Sequence, residues 1–118
     1  MVYAVKSPEG IDKMVVQTSK DSDGGTVLTV MVDSLDSANA AEFREEAARA
    51  IAASAGRIEV DCSHLEFIDS SGLGAFLHAH NLLPEDRRPV RLAGVGAKVL
   101  TILELMQVHR IFELEPRK

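Results

Sequence analysis

One short stretch of the chain combines residue types that could carry chemistry. Ile68-Asp-Ser-Ser-Gly72 places a carboxylate, two hydroxyl groups and a glycine at the start of a predicted helix. Free backbone N–H groups and the helix dipole favour an anion there, so a phosphoryl group on Ser70 would be tolerated despite Asp69. The simpler interpretation is that Asp69 and Ser70 only cap the helix, as Asp and Ser often do. The local pattern favours capping and leaves both roles open.

Hydrolytic chemistry has weaker support at the same serines. A nucleophilic serine at a strand-to-helix elbow needs glycine two residues earlier, where Ser70 has Ile68 and Ser71 has Asp69. The pattern also places no histidine clearly as a base for either hydroxyl. The sequence therefore predicts a protein that is not an enzyme.

Metal and nucleotide sites are not indicated elsewhere. His78 and His80 lie two apart on a predicted helix, so they point in different directions and make a poor metal pair. Cys62 falls within a strand alternation and is predicted to be a small buried hydrophobic residue. Gly94-Val-Gly-Ala-Lys98 lacks both the length and the Ser or Thr of a phosphate-binding loop. We predict no metal and no cofactor.

The composition is that of a globular domain with an aliphatic core. The chain has 118 residues, of which 46% are hydrophobic, 26% are charged and only 4% are aromatic. A net charge of −5 argues against nucleic-acid binding through a broad basic patch. The single cysteine cannot form an intrachain disulfide, and no apolar run approaches the roughly 18 residues of a membrane span. These features predict a cytoplasmic protein that does not insert into a membrane.

Hydrophobic periodicity predicts the elements that position the serines. Strands are expected at residues 14–18, 26–32, 57–62, 89–93 and 111–114, with 65–68 either extending a strand or forming a turn. A first helix follows Asp36 and Ser37, which offer capping oxygens; a second begins at Ser70 or Ser71; a third begins near Gly96. The nearly all-apolar run 26–32 is typical of a strand covered on both faces.

The predicted order β-β-α-β-α-β-α-β indicates an α/β domain. It should contain a mostly parallel sheet with an antiparallel edge strand and helices packed on the sheet. The loops after parallel strands gather at one edge, where ligands and partners bind. Three loops are expected there: Asp33-Ser-Leu-Asp36, Ile68-Asp-Ser-Ser-Gly72 and Gly94-Val-Gly96.

A longer motif around the serines resembles a known family. The segment from Val60 to Gly74, VDCSHLEFIDSSGLG, is similar to the signature of the STAS domain of bacterial anti-sigma-factor antagonists. Leu35-Asp36 with Asn39-Ala40, and the segment 103–112, resemble further parts of that family. The resemblance covers about residues 14–114, and the whole chain, 1–118, is interpreted as a single STAS domain.

The resemblance implies a phosphorylation switch rather than catalysis. It makes Ser70 the phosphate acceptor. It assigns partner binding to the residues around that serine, which are Asp36, Asn39, Asp69, Ser71 and Gly72. The implied partners are an anti-sigma factor that is also a serine protein kinase, and a PP2C-like phosphatase. ATP would be bound by the kinase, and the unphosphorylated domain would bind that kinase and release a sigma factor.

A second interpretation keeps the fold and changes the role. Some STAS domains are cytoplasmic subunits of membrane transporters, including lipid-type ABC transporters, and Ser70 would then be a contact or a vestige. Two departures from the antagonist pattern are visible. Asp33-Ser34 stands where the family usually has Gly-Glu, and Met106-Gln107 replaces the usual Thr-Gly. The first departure concerns the expected partner-binding surface.

Overall fold

A hairpin opens the part of the chain that the computed structural model describes, residues 14–117. Strand β1 (Val16–Lys20) pairs antiparallel with β2 (Thr26–Val30). Strand β1 begins two residues after the start of the predicted strand 14–18. In the turn, the Asp21 carboxylate accepts hydrogen bonds from the backbone N–H of Asp23, at 2.9 Å, and of Gly25, at 2.8 Å. Gly24 has φ +86°, which favours glycine.

The later strands and helices follow the predicted order with one addition, because Ser34–Leu35 forms a short strand where a loop was predicted. The remaining strands are β3 (Ser34–Leu35), β4 (Ile58–Asp61), β5 (Phe67–Ile68), β6 (Arg91–Val95) and β7 (Glu113–Pro116). The helices within residues 14–117 are α1 (Ala40–Ala52), α2 (Ser70–Leu82) and α3 (Ala97–Leu105), with a 3-10 turn at Glu85–Arg87. No helix in this range has the length and hydrophobicity needed to cross a bilayer.

The main sheet has the order β1-β2-β4-β6-β7. Only β1 is antiparallel to its neighbour, and the pairs β2–β4, β4–β6 and β6–β7 are parallel. The predicted α/β domain, with a mostly parallel sheet and an antiparallel edge strand, is therefore confirmed. The end of β6 differs from the prediction, because Gly94 and Val95 belong to the strand rather than to a loop.

The helices cover one face of this sheet. The strand order advances in one direction, and right-handed crossovers then place α1, α2 and α3 on the same side. Burial alternates accordingly, so that Leu28 and Val30 are buried while Val27 and Thr29 are only half-buried. The expectation that residues 26–32 form a strand covered on both faces was wrong, because within residues 14–117 helices cover only one face of β2 and the side chains on its other face are half-buried.

The buried face is mainly aliphatic, as the composition predicts. A row of three phenylalanines runs through it, with ring centroids 5.4 Å apart for Phe43 and Phe76 and 6.4 Å apart for Phe76 and Phe112. Cys62 is fully buried, and burial raises the pKa of its thiol to about 12. The thiol is therefore protonated at neutral pH, which agrees with the predicted packing role.

The open face carries a network of charged side chains. The Arg91 guanidinium lies 3.3 Å from a Glu59 oxygen, 2.6 Å from a Glu113 oxygen and 3.0 Å from a Glu115 oxygen. Arg57 adds a second contact to Glu113 at 2.7 Å, and this hydrogen bond is the main cause of the lowered pKa of Glu113. The network allows this face to stay in water without a covering helix.

A separate two-stranded sheet lies beside the main one. Strands β3 and β5 pair in parallel, with Ser34 opposite Phe67 and Leu35 opposite Ile68. Helix α2 starts directly after β5, and Gly72 in its first turn lies against the Leu35 carbonyl oxygen. A Cβ atom on Gly72 would overlap that oxygen and would lie 2.7 Å from Cγ1 of Ile68. Glycine is therefore needed at this position for the close approach.

We predict that Gly72→Ala lowers the free energy of unfolding by about 1–3 kcal/mol, because the new methyl group must displace the β3 backbone. Gly74→Ala is the matched control in the same helix, since a Cβ there meets nothing within 4 Å. It should be neutral or stabilise by up to about 1 kcal/mol. Urea unfolding of both variants measures the difference. Equal stability of the two variants would show that α2 does not depend on the Gly72–Leu35 approach.

Candidate functional site

The β3–β5 pair brings two of the predicted loops together. Because Leu35 and Ile68 are register partners in a parallel pair, Asp36 and Asp69 follow them at the same end. The Asp69 N–H donates to the Leu35 carbonyl at 3.2 Å and closes this junction. We call the resulting surface, formed by Asp36, Asn39, Asp69, Ser70 and Ser71, the Ser70 edge.

The first loop of the Ser70 edge is held by its own side chains. The Asn39 amide donates to the Ser34 carbonyl, and its oxygen accepts from the Asp36 N–H, both at 2.9 Å. The Asp36 carboxylate accepts from the Ala38 N–H at 3.0 Å. The expected capping of α1 by Asp36 and Ser37 was wrong, since Asn39 occupies the N-cap position and makes no side-chain cap hydrogen bond. Asp36 and Asn39 instead close the turn before the helix.

In the second loop, a single residue, Asp69, caps helix α2. Asp69 has an extended backbone, and its Oδ1 accepts from the N–H of Ser71 at 2.8 Å and of Gly72 at 3.1 Å. Ser70 is the first residue of α2, its side chain is exposed, and its hydroxyl takes part in none of the hydrogen bonds found among residues 14–117. The choice left open by the sequence is therefore decided: Asp69 caps the helix, and Ser70 does not.

This division of roles determines what the Ser70 edge can do. Ser70 is exposed in the first turn of a helix whose cap is supplied by Asp69. Two N–H groups of the first turn, which the sequence suggested would favour an anion, already bind Asp69. A phosphoryl group on Ser70 would therefore remain at the surface, next to the Asp69 carboxylate, instead of inserting into the helix terminus.

Other predicted partner residues differ in accessibility. Ser71, Asp36, Asn39 and Asp69 are half-buried, whereas Gly72 is buried. The position of Gly72 against Leu35 gives it a packing role, through which it positions the loop. Direct contact of these residues with a partner stays a prediction.

The third predicted loop makes other contacts. Gly96 is the N-cap residue of α3, and a Cβ atom there would lie 3.1 Å from the Arg117 guanidinium. Arg117 donates to the carbonyl oxygens of Gly94 at 3.2 Å and of Cys62 and Leu65 at 3.0 Å, and pairs with Glu66 at 2.9 Å. The sequence does not predict these contacts of Arg117, because they join segments more than 20 residues apart and no local pattern marks them.

The exposure of one apolar residue beside the Ser70 edge was also not predicted. Phe67, two residues before Asp69, is 47% exposed. The alternation of β5 contained the signal for Phe67, because a buried Ile68 directs its neighbour outward. Because residues 65–68 are compatible with either a strand or a turn in the sequence, this alternation does not by itself predict the exposure of Phe67.

Comparison with protein families gives one match over most of the chain. A family model described as "Mlab, STAS domain" matches residues 19–115. No curated protein sequence matches the chain significantly.

Solved structures share the fold. An anti-sigma factor antagonist from Mycobacterium paratuberculosis is 22% identical and superposes with a TM-score of 0.77, covering 93% of this chain and 89% of that one. An anti-sigma-factor antagonist (STAS) domain protein from Planctomyces limnophilus is 15% identical, with a TM-score of 0.77 and coverages of 87% and 91%. The Bacillus cell fate determinant SpoIIAA in its phosphorylated form is 18% identical, with a TM-score of 0.63 and coverages of 84% and 89%.

The cap assignment predicts different effects of neighbouring substitutions. Asp69→Ala should lower the free energy of unfolding by about 1 kcal/mol, because the Ser71 and Gly72 N–H groups lose their acceptor. Ser70→Ala should change it by less than about 0.5 kcal/mol. Asp69→Asn is the control, since Asn caps helices as well as Asp. Thermal and urea unfolding measure all three, and a larger loss for Ser70→Ala than for Asp69→Ala would contradict the assignment.

Proposed function

Because this chain belongs to the STAS domain family, we propose that it is an anti-sigma-factor antagonist switched by phosphorylation of Ser70. The observation that carries the proposal is the exposed Ser70 hydroxyl on a helix capped by Asp69. A kinase can modify this hydroxyl without removing a hydrogen bond that the fold uses. The domain acts as a binding module and performs no catalysis.

The switch works through charge at a contact surface. A phosphoryl group adds about −1.5 to −2 charges at neutral pH. On Ser70 it would lie beside Asp69, whose carboxylate is committed to the helix terminus. A partner that closes over the unphosphorylated Ser70 edge would have to desolvate the phosphate, so the phosphorylated protein binds weakly. The unphosphorylated form binds the anti-sigma factor, and the sigma factor is released.

The cycle needs partners with their own chemistry. The anti-sigma factor is a serine protein kinase that binds ATP and transfers its γ-phosphoryl group to Ser70, and a PP2C-like phosphatase removes the phosphate and resets the switch. Both act in the cytoplasm. Support comes from the solved neighbours, which are anti-sigma factor antagonists, one of them in a phosphorylated form. The proposed contacts are Asp36, Asn39, Asp69 and Ser71, with Gly72 positioning their loop.

A second candidate is a cytoplasmic STAS subunit of a membrane transporter of the lipid ABC type. The description of the matching family model, "Mlab, STAS domain", names neither a sigma factor nor a kinase. In this case Ser70 would be a contact residue that is never phosphorylated. The two candidates therefore differ in a measurable property of one side chain.

We predict that the cognate kinase with ATP phosphorylates Ser70 and leaves Ser71 unmodified, because Ser70 is exposed and Ser71 is half-buried. Peptide mapping by mass spectrometry locates the phosphate. Ser70→Ala should abolish phosphorylation, and Ser71→Ala is the matched control that should retain it. Phosphate on Ser71 alone would contradict the acceptor assignment, and no phosphate on either serine would favour the transporter subunit.

We predict that the charge at residue 70 determines the affinity for the kinase. Ser70→Ala should bind the kinase like the wild type, while enzymatically phosphorylated protein should bind at least about tenfold more weakly because of the desolvation cost. Ser70→Asp should also weaken binding, though less, because Asp carries one charge on a shorter side chain. Isothermal titration calorimetry measures the dissociation constants. Equal binding of the phosphorylated and unphosphorylated proteins would rule out charge exclusion.

A further inference from the structure

Arg117, the residue directly after β7, brings one guanidinium to two separate loops. Its backbone is fixed, since its N–H donates to the Val95 carbonyl at 2.8 Å and continues the pairing of β7 with β6. Its side chain, which is 34% exposed, donates to the carbonyl oxygens of Gly94, Cys62 and Leu65. Arginine suits such a position, because its planar fork of N–H groups can reach several acceptors at once.

The first of these loops connects β6 to α3 and has glycines where the guanidinium lies. Gly94 is at a bulge in the pairing of β6 with β7 and has φ +68°, which favours glycine. A Cβ atom on Gly96 would lie 3.1 Å from Cζ of Arg117, and a Cβ atom on Gly94 would lie 2.8 Å from Oγ of Ser63. The guanidinium and both loops are therefore packed against one another.

The second loop connects β4 to β5. The Cys62 carbonyl closes its turn by accepting from the Leu65 N–H at 3.0 Å, and the same oxygen accepts from Nη2 of Arg117 at 3.0 Å. The Leu65 carbonyl accepts from Nη2 as well, at 3.0 Å, and the Glu66 carboxylate lies 2.9 Å from Nη1. Arg117 therefore holds both ends of a turn that ends two residues before β5 begins.

Hydrogen bonds connect this loop to the Ser70 edge. The N–H groups of Glu66 and Phe67 both donate to the Asp33 carbonyl, at 2.7 Å and 3.0 Å. Asp33 directly precedes β3, which pairs with β5 over only two residues. A ladder this short depends on the segments that flank it, because its few hydrogen bonds offset little of the entropy lost in ordering two strands. Arg117 orders the segment that flanks β5, so it helps to set where α2 begins.

We propose that Arg117 is a positioning residue of the Ser70 edge. Its guanidinium is a strap that connects the end of β7 to the loop before β5, and its release loosens β5 and the Asp69 cap while the main sheet stays folded. The order of this edge is a property of the fold and does not require the proposed function. Its effect on phosphorylation does rest on the proposed function, because a kinase acts fastest on a hydroxyl that is held in one position.

Hydrogen exchange of the unphosphorylated protein, measured by NMR, tests the strap. The N–H groups of Glu66, Phe67 and Asp69 are hydrogen-bonded across the edge and report its local opening. In Arg117→Ala they should exchange at least about tenfold faster, because the lost carbonyl contacts no longer oppose that opening. In Arg117→Lys they should still exchange about fivefold faster than in the wild type, since an ammonium group keeps the charge but has no planar fork.

Arg57→Ala is the matched control, because Arg57 also connects β7 to another strand. Its guanidinium contacts Glu113 at 2.7 Å, at the opposite end of β7 from Arg117. This ion pair stays intact when the edge opens, so the edge amides of Arg57→Ala should exchange within about twofold of the wild-type rate even if the variant is less stable overall. The comparison therefore separates positioning of the edge from a general loss of stability.

Phosphorylation kinetics with the cognate kinase give a second measurement. For folded Arg117→Ala, kcat/KM at Ser70 should fall by about fivefold or more, whereas for Arg57→Ala it should change by less than about twofold. Thermal melting first establishes that each variant is folded, and Arg117→Lys provides both measurements should Arg117→Ala not fold.

The outcomes separate the strap from the proposed function. Edge amides that exchange at the wild-type rate in folded Arg117→Ala would show that the strap is wrong, and the proposed function would stand. Wild-type exchange in Arg117→Lys would show that charge alone suffices and would overturn the role of the guanidinium fork. Faster exchange with an unchanged kcat/KM would refute the effect on phosphorylation. If the kinase does not phosphorylate the wild type at all, the proposed function fails, and the exchange rates still decide whether the strap exists.

Discussion

The short parallel pair of β3 and β5 is the contact on which the functional edge depends. It contains only two residues from each strand, yet it sets Asp36 and Asp69 side by side and fixes where α2 begins. The pair holds because Gly72 lets the first turn of α2 approach the Leu35 carbonyl, and because Leu35 and Ile68 are fully buried beneath it. A side chain at Gly72 would separate the two loops, so the motif requires glycine there for steric reasons.

Neighbouring residues of the Asp-Ser-Ser-Gly motif have different structural roles. Asp69 satisfies the helix terminus, Gly72 provides the close approach, and Ser70 is left with an exposed hydroxyl that the fold does not use. A site for reversible modification benefits from this arrangement, because stability and switching do not compete for the same atom. If Ser70 is phosphorylated as proposed, the cost of the phosphate falls on the complex and not on the folded domain.

The one-sided covering of the sheet separates two kinds of surface. The open face is occupied by charges that neutralise one another around Arg91, and nothing there requires a partner for stability. The edge at β3 and β5 has a different character, since the Asp36 and Asp69 carboxylates bind backbone N–H groups there and Phe67 is exposed. Solvation favours leaving the first surface in water and covering the apolar part of the second.

Local patterns in the sequence determined the order of the helices and of the five strands of the main sheet, the aliphatic core, the burial of Cys62 and the position of Ser70 at a strand-to-helix junction. These follow from hydrophobic period, turn residues and a motif of adjacent residues, all of which act within one segment. The tertiary structure alone decided that helices cover one face only, that β3 pairs with β5, that Asp69 rather than Ser70 caps α2, and that Arg117 binds the carbonyls of Gly94, Cys62 and Leu65. Each of these depends on which of several equivalent groups comes close in space. For the β3–β5 pair and for Arg117 the choice is made by the packing of segments more than 20 residues apart. For the cap it is made between the adjacent residues Asp69 and Ser70, both of which have side chains that can cap a helix.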